Sequence, residues 1–261
     1  MRVLVISNQK GGVGKTTTAI SLGAALVEHG QRVLIIDLDP QANATSGLGM
    51  GKNSAIYGVL LKERPIKESV VHTELEGLDL IPSGPDMAGA EVELVPVMAR
   101  EFRLRDALRA ASDSYDTVIV DCPPSLGLLT INALAAGDGV VVPVQCEYYA
   151  LEGLAQLLDT IEAVRQRLNA GLEVLAIVLT MEDRRNRLSM QVIEEVRKHF
   201  PTLVATTRIP RTVRLAEAPS HGKPINVYDP HSVAAKAYGE LALEVQGRMK
   251  SREPIALAGS A

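Results

Sequence analysis

Apolar and polar positions along this chain fall into two alternating kinds of run. Short β-branched runs read as buried strands at residues 2–7, 32–37, 78–82, 117–121, 139–144, 173–180 and 203–208. Between them, apolar residues recur at helical spacing over 15–29, 91–111, 127–136, 151–169, 188–199 and 232–250. Strand, helix, strand in strict alternation predicts βαβ units and an α/β fold: a predominantly parallel twisted sheet with helices on both faces. Residues 45–76 are the least patterned stretch, and SREPIALAGSA at 251–261 reads as a tail outside a single domain over 1–250. The last helix is expected to bury Val233, Ala237, Tyr238, Leu241 and Val245 as one stripe.

Composition supports that architecture. The chain has 261 residues and is 46% hydrophobic, with no Trp and two Phe, so Ala, Val, Leu and Ile must build the core. Two cysteines, Cys122 and Cys146, are too few for a disulfide framework and suit a reducing cytosol. MRVLVISNQ is too short an apolar run for a signal peptide. The apolar stretch 126–144 carries Thr130, Asn132 and Asp138, and a turn at Gly137-Asp138-Gly139 divides it into helix and strand instead of a membrane span. A cytoplasmic location is expected.

The first strand, loop and helix carry the chemistry. NQKGGVGKTTT at 8–18 ends as a phosphate-binding loop, with Gly14, Lys15 and Thr16 in their usual places. Gln9 stands where the first glycine of G-x-x-x-x-G-K-[ST] belongs, and a second lysine, Lys10, sits within the loop. Glycines let backbone N–H groups converge on phosphate oxygens at a helix N-terminus. Gly11, Gly12, Val13, Gly14 and Thr17 are therefore nucleotide-binding candidates. Lys15 would bridge the β- and γ-phosphates and Thr16 would ligate Mg²⁺. VLIIDLDPQ places Asp37 and Asp39 at a strand's C-terminal end, and TVIVDCPPS places Asp121 at another. Asp121 is in the position of a Walker-B acid, and Asp37 and Asp121 are assigned to Mg²⁺ through water. Asp39 is assigned to orienting the attacking water, which makes it catalytic together with Lys15.

K-G-G-V-G-K-T-T at 10–17, D-L-D-P-Q at 37–41 and D-C-P-P-S at 121–125 closely resemble the deviant Walker ATPases. PVQCEYYALEGL (143–154), IPRTVRLAEAPSHGKPI (209–225) and YDPHSVAAKAY (228–238) resemble the ParA/Soj branch, which partitions bacterial chromosomes and plasmids. That resemblance spans nearly the whole chain. It implies a P-loop ATPase with ATP and Mg²⁺ as cofactors. It further implies that Lys10 reaches the nucleotide of a second subunit in a sandwich homodimer and is catalytic there, with Gly12 packed at the interface. It also implies binding of non-specific double-stranded DNA, nucleoid association, and hydrolysis stimulated by a ParB-like protein. Nothing in the sequence marks an arginine aimed at the γ-phosphate, so intrinsic turnover is expected to be slow.

Net charge is −4, yet residues 181–214 carry eight cations against four acids. Such a local excess on an acidic chain fits phosphate contact, and the lack of interleaved aromatics argues against base stacking. The residues read equally well as a solvated helix face with pairs such as Glu194 with Lys198. The resemblance assigns Arg185 and Arg214 to DNA, and EDRRNRL adds Arg184 and Arg187. Asn186 and Pro210 are placed near the adenine. A MinD-like membrane switch shares the loop but needs a basic amphipathic C-terminal helix, which PIALAGSA does not supply. A nitrogenase-reductase-like electron-transfer ATPase needs cysteines with glycine-rich flanks, and D-C-P-P and Q-C-E-Y lack them. A phosphotransferase would need an acceptor-binding lid, for which no segment is evident.

Overall fold

The computed structural model describes residues 1–261 apart from residues 63, 110–112, 148–149, 184 and 252–261; the side chains of 150–152 and 251 are likewise outside the description. The expected tail therefore lies almost entirely outside the described residues, as does Arg184.

In chain order the elements are β1 (Arg2–Ile6), α1 (Lys15–Glu28), β2 (Val33–Asp37), α2 (Asn43–Gly47), α3 (Ala55–Leu61), β3 (Val71–His72), β4 (Leu78–Ile81), α4 (Met87–Leu94), α5 (Arg103–Leu108), β5 (Thr117–Asp121), α6 (Leu128–Ala136), β6 (Gly139–Gln145), α7 (Ala150–Arg167), β7 (Glu173–Thr180), α8 (Arg187–His199), α9 (Val213–Glu217), α10 (Ile225–Tyr228) and α11 (Val233–Ser251). The seven strands form one sheet in the order β3-β4-β2-β5-β1-β6-β7, parallel throughout except for the two-residue β3.

The sheet works because strand residues alternate between two apolar cores. Val3, Val5, Leu34, Ile36, Val118 and Val120 face α3 to α8. Leu4, Ile6, Val33, Ile35 and Ile119 face α1 and α11. Both faces are thus apolar, as a parallel sheet covered on each side requires. In α11, Tyr238, Leu241 and Val245 are buried as expected, but Val233 is 64% exposed and Ala234 takes its place inside. Both cysteines are free and buried.

Two expected elements differ. The helix expected over 91–111 is broken: α4 ends at Leu94, Pro96 follows, Ala99 adopts φ +53°, and a short 3₁₀ turn at Arg100–Phe102 leads into α5. Proline has no N–H for the ladder and its ring clashes with the preceding turn. The strand expected over 203–208 is reduced to an isolated bridge between Val204 and Ile177 of β7. Its continuation is diverted, because Glu244 of α11 accepts the N–H groups of Thr206 (2.8 Å) and Thr207 (3.1 Å). Arg248, one turn on, donates to the carbonyls of Leu175, Thr202, Leu203 and Val204. A pair of side chains on one helix thereby does the work of a ladder. Glu244→Ala strands two backbone donors, and we expect it to lower stability by about 2 kcal/mol, or about 5 °C in Tm, by thermal denaturation.

The stretch that lacked a pattern, 45–76, is built of α2, α3 and β3, elements too short to show a period.

Candidate active site

β1 delivers the chain to the phosphate loop, and α1 takes it away. Gly12 and Gly14 have φ of +75° and +90°, a region that costs a side-chain-bearing residue strain. Gly14 is the N-cap of α1, with no side chain satisfying the first N–H groups and no acid in the first turn. A Cβ added at Gly11 or Gly12 would meet nothing within 4 Å, so the space over the loop is open. Free N–H groups at a helix start, facing open space, form an anion cradle.

Lys15, at the start of α1, is 7% exposed, and its ammonium donates to the Lys10 carbonyl at 3.1 Å. Burial lowers its pKa, while Asp121 pulls the other way. The loop is held from outside by contacts no motif announces. Asn8 donates to the Pro143 carbonyl (2.7 Å) and accepts the Lys10 N–H (3.0 Å). Gln9 donates to the Gly153 carbonyl, and Thr180, at the end of β7, donates to that of Val13. Gln9 is thus an anchor where another loop would have glycine.

Three adjacent strands, β2, β5 and β1, end beside this loop, with Asp37 paired in register with Asp121. The two acids differ sharply in surroundings. Asp37 accepts three hydrogen bonds, from the Asp39 N–H and from the N–H and hydroxyl of Thr45. Burial pushes its carboxyl up to about 6. Three of its acceptor sites shape the 37–45 loop, and Oδ1 keeps one that a water on an ion could use. Asp121 is fully buried, and among the described residues neither carboxylate oxygen has a hydrogen-bond partner of good geometry, the Thr16 hydroxyl being the nearest donor. Burial raises it well above the carboxylate range and Asp37 adds to this, against the nearby Thr16 hydroxyl and Lys15. An orphaned buried carboxylate beside a hydroxyl and an anion cradle is what Mg²⁺ with a phosphate would complete. The residues present fit that pair.

Asp39 is 6% exposed; one oxygen accepts the Gln41 N–H at 2.9 Å, and the other takes no hydrogen bond among the described residues. Its main chain is pinned by the Ser83 hydroxyl, which donates to the Asp39 carbonyl at 2.7 Å. Ser83 also donates its N–H to the Thr45 hydroxyl. Thr45 and Ser83 were not legible as site residues, since an isolated Ser or Thr beside a loop carries no spacing signal.

Residues 1–174 match the AAA domain family. Over 247 residues the chain is 56% identical to the sporulation initiation inhibitor protein Soj of Bacillus subtilis (strain 168), covering 94% of this chain and 98% of that one. The chain belongs to the ParA/Soj family of P-loop ATPases. It is also 54% identical, over 258 residues and 97% of both chains, to the chromosome partitioning protein ParA of Caulobacter vibrioides (strain NA1000 / CB15N). Among solved structures, cobyrinic acid a,c-diamide synthase from Mycobacterium smegmatis, with bound ATP analog and magnesium, superposes with a TM-score of 0.85 at 40% identity, covering 98% of each chain.

In this ParA/Soj-family chain the basic segment is sorted by its contacts. Arg185 and Arg187 are exposed, in the turn after β7 and at the start of α8. Arg211 is exposed as well. Arg214 is exposed but shared between Glu217 (3.3 Å) and Asp229 (3.6 Å). Arg208 turns onto the buried carboxylate of Glu182 and is only partly exposed. On α8, Glu195 lies 3.5 Å from the His199 ring, and among the described residues Glu194 and Lys198 form no ion pair. Asn186 caps α8, its side chain accepting the Leu188 N–H, so the structure gives it a helix-start role; Pro210 bridges the Glu182 backbone.

Proposed function

We propose that this chain is a DNA-partitioning ATPase that works as a switch. The observation that carries the reading is the phosphate cradle with one buried lysine, one outlying lysine and an unpartnered buried carboxylate. Lys15 and the N–H groups of Gly11 to Thr16 bind the triphosphate. Thr16 and Asp121 would hold Mg²⁺, which neutralises phosphate charge when bound. Asp39, its loop locked by Asp37 and Ser83, presents its second oxygen to an attacking water. Lys10 serves the nucleotide of a second copy, and Gly12 lies where the two copies meet, so ATP drives a sandwich dimer. The dimer binds double-stranded DNA without sequence preference through Arg185 and its neighbours, and a ParB-like partner speeds hydrolysis and release. One ATPase domain over residues 1–250 performs all of this.

One observation weighs against the electron-transfer alternative. Cys122 and Cys146 are buried, with burial pushing the Cys146 thiol up to about 11 and Cys122 well up, whereas a cluster shared between subunits needs exposed thiolates. No helix among the described residues is long and apolar enough to cross a membrane, which leaves a surface-bound amphipathic helix to be tested by liposome co-sedimentation with ATP.

The test is DNA co-sedimentation with ATP, ADP or no nucleotide across a salt series. Binding is expected with ATP alone. Arg185→Ala and Arg187→Ala should each weaken it several-fold for every DNA sequence, reducing the slope of log K against log salt by about one. Arg214→Ala should have the smaller effect, because two carboxylates already share its charge. Nucleotide-independent binding that ignores Arg185 would overturn the switch.

A further inference from the structure

The outlying lysine is not idle in the free protomer. Its ammonium lies 3.1 Å from the Glu147 carboxylate, just beyond β6, with both side chains partly exposed. The other oxygen of Glu147 accepts from the Gln145 side chain at 2.6 Å. Gln145 is the last residue of β6, so the carboxylate is braced against the sheet. On the lysine's own side, its N–H is held by Asn8 and its carbonyl by Lys15. Main chain and side chain are therefore fixed at once, and the ammonium is aimed at a carboxylate of its own chain.

We propose that Glu147, braced by Gln145, is a positioning residue that holds Lys10 in the free protomer and gives it up on assembly, so that the pair sets the concentration at which two copies associate. The inference rests on the reading of Lys10 as serving a second copy's nucleotide. Glu147 keeps the second cation from folding back toward the cradle that Lys15 already serves. It also supplies a counter-charge while no phosphate is in reach. Two cations so close in one loop repel each other, and an anion near the outer one relieves that repulsion. Assembly exchanges the carboxylate for a phosphate. An exposed pair of this kind holds its partners by a factor of at most about five, and a two-fold assembly must break it twice, so the threshold is shifted by up to about thirtyfold.

The experiment measures dimer fraction by analytical ultracentrifugation over a protein concentration series, with Mg²⁺ and a non-hydrolysable ATP analogue. Wild type is compared with Glu147→Gln, Gln145→Ala and Lys10→Ala, and each variant's affinity for the analogue is measured below its dimerisation range. Glu147→Gln is expected to move the midpoint between about two- and thirtyfold lower, with the affinity of the protomer for the analogue unchanged. Gln145→Ala should move it the same way by less. Lys10→Ala should not dimerise. A midpoint that is unchanged or higher in Glu147→Gln, with Lys10→Ala still monomeric, overturns the role of Glu147 alone. Normal dimerisation of Lys10→Ala overturns the reading of Lys10 and this inference with it.

Discussion

Lys15→Ala is expected to weaken ATP binding at least about a hundredfold while leaving the fold intact. The side chain is almost wholly buried, and among the described residues its ammonium makes one direct hydrogen bond, to the Lys10 carbonyl, which uses one of three donors. Burial already disfavours its charge, and Asp121 alone among its neighbours contributes the largest opposing pull. A triphosphate entering the cradle meets a cation that has paid its desolvation in advance, and losing one partner of such a buried charged contact typically removes 2–5 kcal/mol. The apolar face of α1, including Leu22 and Leu26, lies away from the substitution, so the circular dichroism spectrum should match that of wild type. Titration calorimetry with Mg-ATP reads the affinity directly. Binding within threefold of wild type would remove Lys15 from the site.

Asp39→Ala should separate binding from turnover. The loop does not depend on the carboxylate: its N–H is held by Asp37 and its carbonyl by Ser83, both through main-chain atoms. Only the Gln41 contact is lost. ATP affinity should therefore stay within a few-fold of wild type, while phosphate release falls by about 10²- to 10⁴-fold, the contribution of a positioned general base. The variant is expected to accumulate on DNA in ATP, because the step that ends the bound state has been removed. Phosphate release faster than a tenth of the wild-type rate would take Asp39 out of the chemistry.

The phosphate loop could be read from the chain because its function demands contiguous residues: the glycines, both lysines and Thr16 are all local. The strands that end in Asp37 and Asp121 were equally plain, since burial on both faces leaves uninterrupted β-branched runs. What the sequence concealed depends on contacts between distant residues. Nothing in IPSGPD shows that Ser83 pins Asp39, 44 positions away. The 203–208 run has the composition of a strand, and Glu244 on the last helix decides that it is not one. Charge counting weighed Arg208 and Arg214 equally with Arg185, although Glu182 claims the first and Glu217 and Asp229 share the second. The helix over 91–111 fails for a local reason that was available, Pro96, which the apolar spacing around it outweighed.

The diverted segment beside β7 has a consequence beyond the sheet itself. A parallel sheet ordinarily ends in a row of unpaired N–H and C=O groups onto which another chain can add. Here Ile177 exchanges hydrogen bonds with Leu203 and Ala205, and Leu179 accepts from Ile209, so the outer rim of β7 is occupied. At the opposite rim β3 is only two residues long and runs antiparallel. Strand addition from one molecule to the next therefore finds little free edge at either rim. The sandwich proposed above, in which two copies would meet through their loop ends and close on themselves, has in this sheet no strong competitor by strand addition.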